Sequence, residues 1–433
     1  MRYLDFMISG EGIRWLKGVK MEFAYKGFIV LLLLVTPIRF SVAAPKEPVV
    51  MHALMLSAEH RTTFSQIVQR FNEANDNIEL SYELFVNEDY HTKRDTCLKD
   101  QNCPVDIFLG FAGYGFEQRV SQGQVEPLED LWKQEKFDDY FLHLKTSVTI
   151  QNKQYGTPLT YYPWGFFYKK SLFKKFNLTP PETWQDFLKI CEVFKEANIA
   201  PMVMATKTPF PAASWFSYLN LRLHGLEFHT QLTAGNIPFT DQRVRTTLEH
   251  LKDLIEKGYF LKGHENLSYI KALPYLYRNK GGMYLIGSFV LSKIPNNQKP
   301  DIGFFKFPQL DTSLPFYEEA PLDILFIPSQ SKHKSAAKKV LSFFAQPNIL
   351  DLFNRVSGSL SPNAMSQEVD DKLLLAASRH LKSSAGFSYF FNRNSPPETG
   401  RAGTKLLGAF FSNPEDIDYY IQEFEKLRAT IKK

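Results

Sequence analysis

Apolar positions alternate between helical and strand-like spacing from residue 49 onwards. Phe64, Ile67, Val68 and Phe71 recur at i, i+3, i+4 and i+7, which predicts the apolar face of a helix. The elements predicted for this first part are a strand over 49–56, a helix over 62–75, a strand over 78–86, a helix over 88–100 and a strand over 105–110. The chain therefore opens β-α-β-α-β, a pattern typical of a parallel sheet with helices on its faces.

The rest of the chain continues with amphipathic helices and short apolar strands. The predicted helices cover 180–199, 239–260 and 335–353, and the predicted strands cover 165–169, 301–310, 322–330 and part of 281–289. Glycine and proline interrupt this pattern near 156–159, 300–306 and 360–364. Because these residues punctuate regular structure, the three stretches are candidate crossovers between two domains.

Residues 281–289 read GGMYLIGSF, a short apolar run bounded by glycines. A buried strand explains the apolar middle but leaves the glycines unexplained. A turn at Gly287-Ser288 can bring bare backbone N–H and C=O groups against a ligand, since glycine has no side chain to block the approach. A tight turn after a core strand, without a ligand, is the alternative.

Composition narrows the class of protein. The chain has 433 residues, 44% of them hydrophobic, and a formal net charge of +5, which suits a globular protein of two or three domains. Lys and Arg form no run longer than two residues, so the sequence lacks the basic footprint of a nucleic-acid-binding protein.

A basic residue followed by a short apolar run marks the N-terminus as an export signal. Lys26 precedes the apolar residues 27–35, and Ser41 and Ala43 follow, which predicts a signal peptide within 1–43 that is cut after Ala43. Met21 is an alternative translation start. A membrane anchor is the other reading, but the apolar run is shorter than the ~20 residues that span a bilayer. We therefore expect the mature protein in the periplasm.

The three cysteines all follow the predicted signal. Cys97 and Cys103 bracket five residues, and export to an oxidising compartment predicts a disulfide between them, with two free thiols as the alternative. Cys191 lies in an apolar helical stripe and is expected to be a buried core thiol.

Six segments occur in the same order as the motifs of a known family. They are SAEHRTTFSQIVQRFNEANDNIEL (57–80), PVDIFLGFAGYGFEQRVSQGQVEPLEDL (104–131), GTPLTYYPWGFFYKKSLFKKFNLTPPETWQDFL (156–188), RNKGGMYLIGSF (278–289), FFKFPQL (304–310) and SKHKSAAKKVLSFFAQP (331–347). Together they resemble the maltose-binding-like extracellular solute-binding proteins, the receptors of bacterial sugar ABC transporters. The resemblance spans nearly all of 48–430, although Phe289 stands where the family usually has Trp.

The resemblance implies an α/β, two-lobed periplasmic-binding-protein fold of class II, in which each lobe is a sheet flanked by helices. The implied lobes are 44–156 with 303–361 and 157–302 with 362–433, with hinges near 156–159, 303–305 and 361–363. It also implies a monomer without cofactor or metal that delivers a sugar to the permease of an ABC transporter. A membrane sensor kinase is the alternative partner.

Sugars present C–H faces to flat aromatic rings and hydroxyl edges to polar groups. Trp164 and Trp215 are the favoured ring platforms, although core packing is the alternative for every aromatic candidate. The loop after the first strand is also expected at the ligand, because ligands of open α/β sheets bind beyond the carboxyl ends of strands. The candidate ligand-binding residues are Glu59, His60, Ala112, Gly113, Tyr114, Tyr162, Trp164, Trp215, Gly287, Ser288, Phe289 and Tyr389.

The same loops are not dominated by one sign of charge, which favours a neutral sugar. A carbohydrate-active enzyme is the rival class, but the chain contains no Gly-x-Ser-x-Gly, phosphate-loop or His-Glu-x-x-His motif. The acidic pair Glu318-Glu319 is expected in solvent. The sequence therefore predicts a binding protein and no catalytic residue.

Overall fold

The structure is a computed structural model that describes residues 45–55, 58–85, 89–367 and 371–431. The predicted signal segment lies outside these ranges. Within them, no helix is both long enough and apolar enough to cross a membrane.

Strands and helices alternate along the described chain. The strands are β1 Glu47–Leu54, β2 Ile78–Phe85, β3 Ile107–Phe111, β4 Thr149–Ile150, β5 Lys153–Gln154, β6 Thr157–Tyr161, β7 Trp164–Lys169, β8 Ala200–Met202, β9 Gly281–Gly287, β10 Ile302–Phe305, β11 Tyr317–Glu319, β12 Leu322–Phe326 and β13 Gly386–Ser388. The α-helices are α1 Ala58–Ala74, α2 Asp89–Cys97, α3 Tyr114–Ser121, α4 Glu129–Gln134, α5 Asp138–Phe141, α6 Lys170–Lys175, α7 Trp184–Glu196, α8 Phe210–Thr233, α9 Gln242–Glu256, α10 Tyr269–Tyr277, α11 Lys334–Phe344, α12 Pro347–Arg355, α13 Lys372–Lys382, α14 Pro397–Ser412 and α15 Ile417–Ile431. Short 3₁₀ helices lie at Leu142–Val148, His264–Asn266, Ser288–Lys293 and Lys299–Asp301.

The first sheet has the strand order β2-β1-β3-β12-β6. Strand β1 runs parallel to both β2 and β3, so the predicted β-α-β-α-β opening is confirmed. Strand β12 returns from far along the chain and inserts antiparallel between β3 and β6.

The second sheet has the order β10-β7-β9-β8, and the glycine-bounded strand β9 lies inside it. A β-carbon on Gly281 would lie 2.3 Å from Val203, and one on Gly282 would lie 2.4 Å from the ring of Phe194. The two opening glycines therefore make room for core side chains that pack on the strand, not for a ligand.

Each sheet has a hydrophobic core of its own. Phe64 and Phe108 belong to the core around the first sheet, and Phe166 and Leu251 belong to the core around the second. Tyr161 packs against both cores. The fold is thus α/β and two-lobed, and we call the part around the first sheet the first lobe and the part around the second sheet the second lobe.

The crossovers between the lobes are short. The chain passes from the first lobe to the second at residues 162–163, directly between β6 and β7. It returns at Pro321, which separates β12 from Ala320 of the second core. The Asn363 side-chain amide still donates to the Ala345 carbonyl of the first lobe at 2.9 Å, whereas α13 packs against β10 and belongs to the second lobe.

These pairings differ from two of the expected lobe boundaries. The sequence places β6 in the second lobe, but β6 pairs with β12 in the first sheet. It places residues 303–305 in the first lobe as a hinge, but they lie in β10, which pairs with β7 in the second sheet. Glycine or proline lies within three residues of both ends of each strand, so punctuation alone could not show on which side of the strand the chain crosses.

The acidic pair before the second crossover is buried, contrary to the expectation that it is solvated. Glu318 and Glu319 are 1% and 0% exposed. The Arg222 guanidinium donates to Glu318 Oε1 at 2.7 Å, and the Tyr218 hydroxyl donates to Oε2 at 2.9 Å. Burial raises the pKa of Glu319 well above its usual range, which favours the neutral acid. These contacts fix β11 in the second lobe, two residues before Pro321.

Cys97 and Cys103 form a disulfide at the end of α2, with their Cα atoms 5.2 Å apart. This is the pairing that the sequence favours. Cys191 is a buried free cysteine of the second core, as expected.

Replacing Cys97 and Cys103 together by Ser should lower the free energy of unfolding by about 2 kcal/mol, because the short closed loop no longer restricts the unfolded chain. Urea unfolding monitored by fluorescence measures the difference. With a reductant present, the urea midpoint of the wild type should equal that of the double variant. The reductant should not change the midpoint of the variant itself. An unchanged urea midpoint of the wild type after reduction would contradict the assignment.

Candidate functional site

A cavity of about 530 Å³ lies between the two lobes. The first lobe contributes His60 of α1 and residues of its strands, among them Phe111, Thr160 and Asp323. The second lobe contributes a wall of aromatic rings, made by Trp164, Phe210, Tyr269, Phe289 and Phe390. A molecule in this cavity therefore contacts both lobes.

The aromatic wall is a continuous set of edge-on ring contacts. The centroid of the Trp164 ring lies 4.3 Å from that of Phe390, 5.8 Å from that of Phe289 and 6.1 Å from that of Phe210. Tyr269 extends the wall, with its ring centroid 5.2 Å from that of Phe210. Such a wall offers apolar ring surface to a ligand and has little freedom to rearrange.

The turn at Gly287-Ser288 supports this wall. A β-carbon on Gly287 would lie 2.3 Å from the Phe289 ring and 2.9 Å from Trp164 Nε1. Ser288 is fully buried, and its backbone N–H donates to the carbonyl of Pro163 at 2.9 Å. Neither Gly287 nor Ser288 lines the cavity, so the glycine makes room for two aromatic side chains, and Phe289 carries the contact surface.

Two buried polar atoms at the cavity lack hydrogen-bond partners among the described residues. They are the indole Nε1 of Trp164 and the hydroxyl Oγ1 of Thr160, on residues that are 4% and 5% exposed. An unsatisfied buried polar group costs about 1–3 kcal/mol. Both residues line the cavity, so these two atoms are candidate hydrogen-bond partners for a polar ligand.

Arg393 connects the second lobe to the first across one side of the cavity. Its Nη1 donates to Asp323 Oδ1 at 2.9 Å, its Nη2 donates to the Tyr162 hydroxyl, and its guanidinium lies 3.9 Å from the centroid of the Phe111 ring. Burial raises the pKa of Asp323 to about 6, against the opposing effect of the Arg393 charge.

A second ion pair joins the lobes at the edge of the cavity. Lys293 of the second lobe, which lines the cavity, lies 3.4 Å from Glu59 of the first lobe. The Glu59 side chain is 62% exposed, so this pair contributes little to stability. The ion pair nevertheless shows that the two lobes are in contact at the edge of the cavity.

Four of the predicted site residues line the cavity: His60, Tyr162, Trp164 and Phe289. His60 stacks on Phe353 with ring centroids 4.8 Å apart. Burial, the largest cause, lowers the pKa of His60 to about 4, so its ring is neutral at pH 7. Glu59 stands beside the cavity through its ion pair with Lys293.

The predicted loop after the third strand contacts protein in place of ligand. Gly113 has φ +119°, and a β-carbon there would lie 2.8 Å from the carbonyl oxygen of Arg393 and 3.4 Å from the Tyr389 ring. Ala112, Gly113, Tyr114 and Tyr389 are all outside the cavity lining. Gly113 therefore packs the first lobe against the 389–393 segment beside the site.

Trp215 is a core residue and not a ring platform. It is 1% exposed, and its ring packs against Phe166, Phe260 and Phe307. The wrong expectation has a plain cause, since Trp215 lies in a part of α8 that is buried on every side, and Phe210, five positions earlier, begins the helix at the cavity.

Several lining residues escaped the sequence analysis. Arg393 and Asp323 are 70 positions apart, and nothing local connects them. Asp323 did carry a signal, because it is a charged residue within the apolar strand LDILF. Nothing in the sequence around Thr160 indicated that this residue lines the cavity.

The charged side chains around the cavity are predominantly basic, contrary to the expectation of balanced charge. The basic lining residues are Arg94, Arg119, Lys293, Arg393, Arg401 and Lys405, and the acidic ones are Asp95 and Asp323. Among the described residues, no three His, Cys, Asp or Glu side chains come together in a way that could hold a metal ion.

Comparison with solved structures shows the same fold in proteins of low sequence identity. The bacterial solute receptor AcbH, described as having an exclusive preference for β-D-galactopyranose, has a TM-score of 0.80, 22% identity and coverage of 89% of this chain and 98% of its own. A chitin oligosaccharide binding protein has a TM-score of 0.79, 18% identity and coverage of 88% and 98%. Maltose-bound MalE3 of T. maritima has a TM-score of 0.72, 14% identity and coverage of 89% and 99%.

Comparison of sequences gives related proteins in other organisms. An uncharacterized ABC transporter extracellular-binding protein of Pyrococcus horikoshii is 24% identical over 264 residues, which are 60% of this chain and 58% of that protein. A multiple sugar-binding protein of Streptococcus mutans is 27% identical over 243 residues, 54% of this chain and 57% of that protein. The chain thus spans less than two thirds of the length of these curated relatives.

The sequence model for bacterial extracellular solute-binding proteins matches residues 57–348, more than half of the chain. These residues include most of the first lobe and the strands of the second sheet. The protein therefore belongs to the family of bacterial extracellular solute-binding proteins.

Proposed function

We propose that this protein binds a saccharide between its lobes, without converting it, and delivers it to an ABC transporter permease from the periplasm. A sugar ring needs an apolar surface for its C–H face and polar groups for its hydroxyls. The second lobe supplies the surface through the aromatic wall, and polar side chains surround it.

Trp164 carries the proposal because it provides both kinds of contact. Its ring is part of the aromatic wall, and its Nε1 is buried at the cavity without a hydrogen-bond acceptor among the described residues. A purely apolar ligand would leave this N–H unsatisfied. A hydroxyl oxygen on a ring that lies against the wall would accept its hydrogen bond.

The names of related proteins support the same class of ligand. Solved structures with this fold include proteins described with galactopyranose, chitin oligosaccharide, raffinose and maltose. Curated relatives are described as ABC transporter extracellular-binding proteins and as a multiple sugar-binding protein. These descriptions favour a saccharide ligand and a transporter partner for this chain.

The contacts between the lobes support capture by closure. Arg393 and Lys293 of the second lobe pair with Asp323 and Glu59 of the first, on either side of the space that a ligand would fill. A ligand that touches both lobes favours the arrangement in which they meet, by its difference in affinity for the two arrangements. The short crossovers at 162–163 and Pro321 are the proposed hinges.

Trp164→Phe should weaken binding of the cognate saccharide about 5- to 50-fold, because it keeps most of the ring surface and removes the indole N–H. Calorimetry with galactose, maltose, raffinose and chitobiose identifies a ligand for the wild type and then measures the variant. Trp215→Phe is the matched control, since it makes the same change in a ring outside the cavity. It should lower the melting temperature and leave the dissociation constant unchanged. Equal affinities of wild type and Trp164→Phe would contradict the role of Trp164.

Asp323→Asn should change the pH dependence of stability. Because burial raises the pKa of Asp323 from 3.8 to about 6, the folded protein holds a proton here that the unfolded chain releases. This proton stabilises the folded protein fully below pH 3.8, the ordinary pKa of an aspartate, and the stabilisation is lost as the pH rises through 6. From pH 7 to pH 5, the wild type should therefore gain about 1 kcal/mol in free energy of unfolding relative to the variant.

Urea unfolding at the two pH values measures this difference. Asp138→Asn, at an exposed carboxylate, is the control for loss of one negative charge. A difference between wild type and Asp323→Asn that is the same at pH 7 and pH 5 would show that Asp323 does not titrate in this range.

A further inference from the structure

One end of the cavity gathers positive charge around a single carboxylate. Asp95 Oδ1 accepts from Arg94 Nη2 at 3.1 Å and from Arg119 Nη2 at 2.8 Å. The Arg94 and Arg119 side chains are only 5% and 12% exposed, so neither charge is fully hydrated. One carboxylate cannot neutralise two guanidiniums, and a net positive charge remains at this place.

The second lobe adds two further cations to the same end. Arg401 and Lys405 lie one turn apart on α14, line the cavity, and form no ion pair with any described residue. Helix α14 faces α3, since Pro397 lies 3.5 Å from where a β-carbon of Gly115 would be. The charges of the two lobes thus face each other across the cavity.

The mutual repulsion of these groups is visible at Arg119. Burial, the largest cause, and the charges of Arg94 and Arg401 together lower the pKa of Arg119 to about 10, although Asp95 opposes the shift. Like charges held together in a partly dehydrated site are unfavourable unless an anion joins them.

The remaining charges near the cavity do not supply that anion. Asp323 is paired with Arg393, and Glu59 is paired with Lys293. The nearest other carboxylates by position in the chain, Glu117 on α3 and Glu398 on α14, do not line the cavity. We call the group of Arg94, Arg119, Arg401 and Lys405 the basic end of the cavity.

We propose that the ligand is an acidic saccharide, whose carboxylate or phosphate binds at the basic end while a sugar ring lies on the aromatic wall. This inference rests on the proposed function and narrows its substrate class. Guanidinium groups suit both anions because they donate paired, parallel hydrogen bonds. Arg119 Nε donates to no described atom, and the side chains of Arg401 and Lys405 donate to no described residue.

Calorimetry with matched pairs of sugars tests the proposal. Digalacturonate is compared with galactobiose for the carboxylate, and galactose 6-phosphate is compared with galactose for the phosphate. At least one acidic member should bind the wild type ten times or more as tightly as its neutral counterpart in 20 mM salt. The advantage should shrink in 500 mM salt, because ions screen charges that water can reach. The pair that shows the advantage identifies the anion.

A double variant locates the anion. Arg401→Gln with Lys405→Gln should abolish most of the advantage of the acidic sugar over its neutral counterpart, and the folded protein should tolerate both changes because both side chains are exposed. Lys174→Gln with Lys175→Gln removes the same charge from exposed positions of α6 in the same lobe and should have no effect.

The outcomes separate the two proposals. Neutral sugars that bind as tightly as acidic ones would overturn the acidic ligand and leave the saccharide receptor standing. The acidic-ligand proposal would also be overturned if an acidic sugar bound to the Arg401/Lys405 variant and to the Lys174/Lys175 variant with the same affinity. Failure of every neutral and acidic sugar to bind would overturn the proposed function itself, and the acidic ligand with it.

Discussion

The guanidinium of Arg393 is the contact on which the cavity depends. It extends from the second lobe, pairs with Asp323 of the first, covers the Phe111 ring and donates to Tyr162 in the first crossover. A buried charge that loses its partner is strongly unfavourable, whereas an intact pair adds little net stability. The pair therefore specifies how the lobes meet more than it stabilises either of them.

The lobes can be positioned in this way because each is complete without the other. They have separate hydrophobic cores, and two of the chain crossings between them need only one or two residues. The buried contacts of Glu318 with Arg222 and Tyr218 hold the chain firmly in the second lobe until just before Pro321. In the proposed closure, the crossings are therefore the hinges, and the aromatic wall belongs to the second lobe.

The wall itself shows why the sequence predicted the site only in part. Local patterns identified β9, the stretch that contains Trp164, and the opening parallel sheet, because apolar spacing and glycine are properties of neighbouring residues. They did not show that α8 is buried on every side around Trp215, so Trp215 was expected at the ligand, whereas Phe210 lines the cavity. Nor did they show the pairing of Arg393 with Asp323, or the meeting of Arg119 with Arg401, because these depend on how distant segments pack.

The glycines of β9 illustrate the same limit. The sequence rightly indicated that something approaches the backbone at Gly287, and it left open a ligand or a tight turn. The structure shows the rings of Phe289 and Trp164 instead. The close approach is internal, and it supports the surface on which a ligand would lie. Compact packing at the edge of a site and direct contact with a ligand produce the same sequence pattern.

Small-angle X-ray scattering with and without a saturating saccharide tests the central claim, that one molecule binds between the lobes and holds them together. The radius of gyration should be smaller with the bound sugar, because the ligand favours the arrangement in which Arg393 meets Asp323 and Lys293 meets Glu59. A saccharide that saturates the protein by calorimetry and leaves the scattering curve unchanged would contradict it.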